Sequence, residues 1–228
     1  MNNTQKHDLI NYLKQFVTDN KQQLIQKIIQ HRTRHLTVVL EDLYQPHNAS
    51  AVIRSCECFG VQDLHVIENT NRFKINKGVV LGSAKWVTLH RYKHVQNNTR
   101  LCLEQLKKQG YKIVATTLRP GSKPLQDLSL SQKTAICFGS EERGLSDDAH
   151  ELADERVYIP MLGFTQSFNV SVSAAICLAL LTDKLHRSDI DWALNEDERT
   201  DLTIEWLKKS STNADKLMKN FLSSQKKK

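Results

Sequence analysis

The chain has 228 residues, 39% hydrophobic and 25% charged, enough for one sizeable core domain with appendages. No apolar run reaches membrane length, no secretory pattern opens the sequence, and no flexible linker or fixed-period repeat divides it. A surplus of 32 Lys and Arg over 25 Asp and Glu gives +7, a weak pointer to an anionic partner. Cys56, Cys58, Cys102, Cys137 and Cys177 are odd in number and lie in apolar surroundings with no CxxC pair or zinc-like His spacing. They read as reduced packing residues of a cytoplasmic protein, and no metal is expected.

Residues 5–30 carry two amphipathic helical patterns, with Leu9, Ile10, Leu13, Phe16 and Val17 on one face and Leu24, Ile25, Ile28 and Ile29 on the next. Thr18-Asp19-Asn20 breaks them. His31, Arg32, Arg34 and His35 form a basic bridge into a buried strand, Leu36–Leu40. Asn48 is predicted to cap a helix that ends at Gly60, and Leu64–Ile67 is the next strand. Residues 69–85 are a polar excursion, and Trp86–Leu89 a short strand. A helix over Asn97–Gln109, a strand over Tyr111–Thr116, the loop TLRPGSKP and a strand over Thr134–Phe138 follow. Leu145–Ala153 is a short helix, and Arg156–Ile159 a strand that leads through a Gly163-containing turn to a long helix opening at Asn169. Helices over Glu196–Lys209 and Ala214–Leu222 need a partner surface, and Lys226, Lys227 and Lys228 make a basic tail. Near-continuous apolar strands alternating with helices predict an α/β fold, a mostly parallel sheet flanked by helices.

Three stretches carry chemistry. In PHNASAVIR, Asn48 fits a helix cap, and Arg54 lies almost two turns into an apolar helix, where an arginine pairs with an anion or snorkels. In FGSEERGL, Gly139 at a strand end permits close approach by a ligand or another backbone, at the end of the sheet where ligands of open α/β folds bind. The same residues also suit a plain turn with a helix start at Ser140 or Glu141. In IPMLGFTQSFNVSVSAA, Asn169 fits a cap, but Thr165, Gln166 and Ser167 place polar groups beside the core. No dinucleotide fingerprint or phosphate-binding P-loop occurs.

HNASAVIR, FGSEERGLS and IPMLGFTQSFNVSVSAA, in that order, resemble the three motifs of the SpoU-type RNA ribose 2'-O-methyltransferases, members of the knotted SPOUT superfamily. The likeness covers roughly residues 36–187. Within the family, QPHNASAVIR, GSAKWVTLHRYKH and WLKK are similar to the branch that methylates guanosine 18 of tRNA. The resemblance implies a C-terminal deep trefoil knot, a homodimer, S-adenosyl-L-methionine as methyl donor and tRNA as substrate. It divides the chain into an N-terminal helical arm (1–35), a methyltransferase domain (36–187) and a C-terminal helical extension with its basic tail (188–228).

By motif position the resemblance assigns Asn48, Arg54, Glu141, Ser167 and Asn169 to catalysis and substrate orientation. Thr116, Gly139, Ile159, Met161, Ser167 and Phe168 would surround the donor. Arg32, Arg34, His47, Arg54, Lys85 and Arg187 would contact RNA. Methylation of ribosomal RNA or another tRNA position, and a non-catalytic RNA-binding knot protein, are the competing readings.

Overall fold

The structure, a computed structural model, describes residues 1–225; Lys226, Lys227 and Lys228 of the expected basic tail lie outside the described residues. The chain begins with α1 (Asn3–Lys14) and α2 (Asp19–Ile29), then β1 (Leu36–Glu41), α3 (Pro46–Cys58) and β2 (Asp63–Ile67). A one-turn helix, α4 (Lys77–Val80), lies in the excursion before β3 (Thr88–Tyr92). Next come α5 (Asn98–Lys108), β4 (Lys112–Thr116), a two-residue β5 (Lys123–Pro124), β6 (Thr134–Phe138), α6 (Asp147–Leu152) and β7 (Glu155–Tyr158). The chain ends with α7 (Val170–His186), α8 (Glu196–Ser210) and α9 (Ala214–Gln225).

All seven strands pair in parallel, in the order β3-β2-β1-β6-β4-β7-β5. Alternate residues of a strand face opposite sides, so each central strand feeds two cores. On one side Val38, Leu40 and Ile136 pack with Val52, Ile53 and Cys56 of α3 and Cys177, Leu178 and Leu181 of α7. On the other, Val39, Ile113 and Cys137 pack with Cys102, Leu103 and Leu106 of α5 and Ala149 of α6. Each Val, Leu or Ile side chain among them contributes about 1.5–3 kcal/mol when fully buried.

The connections bring one end of this sheet to a focus. Val157 of β7 has Thr116 of β4 on one side and Lys123 of β5 on the other. The link between β4 and β5 therefore arches across the carboxyl end of β7, and the Thr117 N–H donates to the Val157 carbonyl at 2.9 Å. At the end of β1, buried Glu41 accepts from the Thr99 hydroxyl and from both the hydroxyl and the backbone N–H of Ser146. That carboxylate ties the starts of α5 and α6 to the sheet.

The chain divides into two compact units, Thr33–Trp192 and a second made of Met1–Arg32 with the chain from Ala193 onward. Within the second, α1 and α2 pack on α8, so the terminal helices supply each other's partner surface. Trp206 is buried there beneath Arg32, whose guanidinium carbon lies 5.1 Å from the ring centroid.

Several local expectations change. α3 starts two residues before Asn48, because Pro46 provides a ready first helical turn; Gln45 is its N-cap. The third strand begins at Thr88 rather than Trp86, in register with Asp63. The loop TLRPGSKP contains the edge strand β5. Cys58 is exposed, while the other four cysteines are buried.

Candidate active site

The carboxyl ends of β4, β6 and β7 open into a cavity of about 680 Å³. Thr116, Gly139, Ile159, Met161, Ser167 and Phe168, the expected donor-binding set, all line it. Asn48, Glu141 and Asn169 line it as well. The floor belongs to the sheet: the Thr116 hydroxyl donates to the Cys137 carbonyl at 2.7 Å, and Phe138 and Val157 are buried beneath.

Gly139 is required by its own loop. A Cβ there would stand 2.0–2.2 Å from the backbone of Gly144 and Leu145, closer than atoms can approach. The loop is folded back on itself, with Ser140 and Gly144 exchanging backbone hydrogen bonds at 3.1 and 2.9 Å. Of the two sequence readings, the close approach at Gly139 is by another backbone, and the next helix starts only at Asp147. The tight loop holds Glu141 out toward α3.

Three motifs meet there through side chains. The Asn48 amide donates to Glu141 Oε1 at 2.6 Å and accepts from Asn169 Nδ2 at 3.1 Å. Glu141 Oε2 accepts the Tyr44 backbone N–H at 3.1 Å. Asn169 Oδ1 caps α7, accepting from the Ser171 N–H at 2.8 Å and the Ser171 hydroxyl at 2.6 Å. Since Asn48 is not the cap of its own helix, its amide is free for this link. Burial pulls the Glu141 carboxyl upward, but the Asn48 amide and backbone N–H groups around Tyr44 outweigh it and hold the carboxyl below its ordinary value.

Ser167 lines the cavity within an exposed loop, 162–169. The expected burial of Thr165, Gln166 and Ser167 against the core is corrected: all three are exposed to solvent. Leu162 and Phe164 in the same loop are fully exposed. Arg54 is exposed on α3 and does not line the cavity, so the chain by itself does not bring it to Glu141.

The RNA-binding set separates. His47 and Lys85 are exposed. Arg32 is 0% exposed and lies over Trp206, so it cannot reach a phosphate, and that expectation is corrected. Arg34 is partly exposed, and its Nε donates to Asp63 Oδ2 at 2.8 Å, near the amino end of the sheet and away from the cavity. Arg187 pairs with Asp183 at 3.0 Å just beyond α7, whose 17 residues put it roughly 25 Å from Asn169.

Sequence reasoning missed His150, which also lines the cavity and is buried on α6. Burial, then the nearby charges of Arg119 and Arg156, lower its pKa, which favours the neutral ring. It also missed Leu118 and Arg119 on the arch over β7. Nothing in a loop reading of TLRPG distinguishes them; only the strand pairing brings them to the rim.

Comparison with known proteins gives a consistent result. The family model described as the SpoU rRNA Methylase family matches residues 35–179. A tRNA (guanosine(18)-2'-O)-methyltransferase of Borreliella burgdorferi is 45% identical over 86% of this chain and 88% of its own. One from Thermus thermophilus is 36% identical over 71% of this chain and 81% of its own. Among solved structures, an Aquifex aeolicus TrmH/SpoU tRNA modifying enzyme superposes with a TM-score of 0.74 at 29% identity, covering 84% of this chain and 96% of that one.

Proposed function

Since the chain belongs to the SpoU methylase family, we propose that it methylates the ribose 2'-hydroxyl of guanosine 18 in tRNA, with S-adenosyl-L-methionine as donor. The observation that carries this reading is the Asn48–Glu141–Asn169 link at the mouth of the cavity, where three motifs distant in sequence converge. Ribosomal RNA as substrate is not favoured, because both relatives above are named for tRNA. A non-catalytic protein would have no need to keep the link.

The cavity fits the donor in size, lying within the roughly 300–1,000 Å³ typical of small-ligand sites. Leu118, Ile159 and Phe168 offer apolar walls suited to a purine, and the ends of β4 and β6 offer backbone donors and acceptors. Thr116, Gly139, Ile159, Met161, Ser167 and Phe168 would hold it. When bound, it supplies a methyl group on a sulfonium, already activated for transfer.

The protein's own work is to position the ribose hydroxyl and redirect its proton. Glu141, kept ionised, fixes the Asn48 amide, and Asn48 fixes Asn169. This leaves a rigid polar edge beside the cavity. Arg54 keeps its proton, so it acts as a fixed charge that orients a ribose-phosphate rather than as a simple base. Its planar fork suits that role.

Two further features belong to the same proposal. The arch between β4 and β5 crosses the carboxyl end of β7, which supports a trefoil knot in which the chain beyond β7 threads that arch. A crystallographic trace that pulls straight from both ends would refute it. A homodimer is supported by the exposed apolar surface of Leu162, Phe164, Val172 and Leu180. It would bring Arg54 of one copy within reach of shared RNA; a monomer mass in sedimentation at micromolar concentration would end that idea. A cytoplasmic place of action is proposed from the five free cysteines, and fractionation tests it.

The central test is methyl transfer from labelled donor to total tRNA and to ribosomal RNA, with the methylated nucleotide mapped. The wild type is expected to mark guanosine 18. The Arg54→Lys variant is expected to bind donor normally and lose about 100-fold in rate. Label in ribosomal RNA alone would overturn the tRNA assignment, and label in neither would leave a binding protein.

A further inference from the structure

The catalytic unit carries a cationic surface that none of the motifs contains. Between Glu68 and Glu104 the chain has no acidic residue. In that interval Arg72, Lys74, Lys77 and Lys85 lie on the excursion joining β2 to β3, and all four are exposed. Several surface cations of this protein have carboxylate partners: Lys6 with Asp201, Arg100 with Asp148, Lys107 with Asp154, Lys112 with Glu155 and Arg119 with Asp147. Among the described residues Arg72, Lys74 and Lys77 make no ion pair.

A run of lysines is ordinarily a solvated face, but this one is held in place by dedicated anchors. Asp42, at φ 51, accepts the backbone N–H groups of Asn69, Thr70 and Asn71 at 2.8, 2.9 and 3.2 Å. Glu68 accepts the Phe73 N–H at 2.9 Å and both Arg91 Nε and Nη2 at 2.8 and 2.9 Å. Phe73 and Val80 are buried on either side of the exposed cations. Ordering such a segment costs about 1–2 kcal/mol per residue in backbone entropy, which these carboxylates and apolar anchors offset. The anchors fix the backbone and leave the cationic side chains outward.

The position is equally specific. The Asn76 N–H donates to the Ser50 hydroxyl at 2.7 Å. Ser50 lies four residues before Arg54 on the same face of α3, so the excursion is fastened on the face of that helix that carries Arg54. Resting on the tRNA reading above, we propose that Arg72, Lys74 and Lys77 form a phosphate-binding surface for the tRNA backbone next to the reacting nucleotide. Exposed, unpaired cations on an ordered support are what a polyanion requires: charge without competing carboxylates, presented at little further entropic cost. The contacts are to phosphates and act on affinity rather than on methyl transfer.

The test uses the full chain with Arg72→Gln, Lys74→Gln and Lys77→Gln combined, and measures tRNA binding from 50 to 200 mM salt. The expected result is at least about 10-fold weaker binding at low salt and a salt-dependence slope smaller by about 3. Donor binding by calorimetry and the rate at saturating tRNA are expected to match the wild type. A second variant, Arg72→Lys with Lys74→Arg and Lys77→Arg, keeps the charge and is expected to bind tRNA as the wild type does. Wild-type affinity and slope in the neutralised variant would overturn the proposal, as would equal weakening in the charge-retaining one. Failure of the wild type itself to bind tRNA would instead overturn the reading on which the proposal rests.

Discussion

Two polar clusters occupy opposite ends of one sheet and differ in what they leave open. At the amino end of β2, Asp63 accepts from Arg34 at 2.8 Å and faces His90 at 3.3 Å, while His65 stacks on His90 with ring centroids 4.6 Å apart. At the carboxyl end, Glu141 holds Asn48, and Asn48 holds Asn169. Both carboxyls sit below their ordinary values for the same kind of reason: burial raises them, and hydrogen bonds or cations outweigh it. The perturbed acidity therefore does not separate a structural cluster from a reactive one. What separates them is the neighbouring space. Asp63 is 7% exposed and its partners enclose it, whereas Glu141 borders a cavity large enough for a small molecule.

The comparison is sharpest in a pair of substitutions that keep shape and remove charge. Glu141→Gln should lower the methyl-transfer rate by about 100-fold, since a carboxamide can accept only one of the two bonds, from the Asn48 amide and the Tyr44 N–H, that the carboxylate accepts, with little change in melting temperature. Asp63→Asn should do the reverse. It leaves Arg34 without its carboxylate in a largely buried setting, costing about 1–3 kcal/mol, with the rate preserved. Rates and thermal melts of the two variants decide the matter. If both lose rate equally, or both only lose stability, the two ends are not functionally distinct.

The sheet was legible because a strand buried on both faces has to be apolar throughout, and LTVVL and TAICF are. The third strand was harder, since β3 is next to no second strand on its outer side and includes His90, Arg91 and Tyr92. Apolar Trp86 and Val87 drew the reading two residues early. Asn169 was correctly seen as a cap, while Asn48 was not one: Pro46 already marked the helix start, and the cap reading hid the side chain that joins two motifs. Arg32 and Arg34 show the limit of charge in sequence. Both looked like a basic bridge, but one is buried over Trp206 and the other is committed to Asp63. Exposed cations without a carboxylate partner also sit in the excursion, where sequence showed only a polar loop. The role assigned to Arg54 came from the resemblance alone, and no distance within the chain supplies it.

The closed cluster should also reveal itself through pH. Burial, with His90 beside it, lowers the His65 pKa to about 4 from 6.5. The unfolded chain therefore takes up this proton first as pH falls, and stability is lost between pH 6.5 and 4. Asp63, with its folded value depressed, contributes stability above its unfolded value and loses it as pH falls further. The wild type should be about 2 kcal/mol less stable at pH 4.5 than at pH 7 from His65 alone. Denaturant unfolding of His65→Phe at both pH values should show a drop smaller by that amount. Parallel profiles for the two proteins would show that His65 is not the titrating group.

The smallest expected effect concerns Asn169, which serves the fold and the site at once. Its Oδ1 caps α7 through Ser171, and its Nδ2 donates to Asn48. Asn169→Ala removes both and should cost about 1 kcal/mol with roughly a 10-fold slower rate, so it cannot separate them. Asn169→Asp can. A carboxylate still accepts from the Ser171 N–H and suits a helix N-terminus, so stability should stay within about 0.5 kcal/mol of the wild type. It has no hydrogen to donate to Asn48 and adds negative charge near Glu141, so the rate should fall as far as in Asn169→Ala. A wild-type rate in Asn169→Asp would reduce the residue to a helix cap and confine the polar edge of the cavity to Asn48 and Glu141.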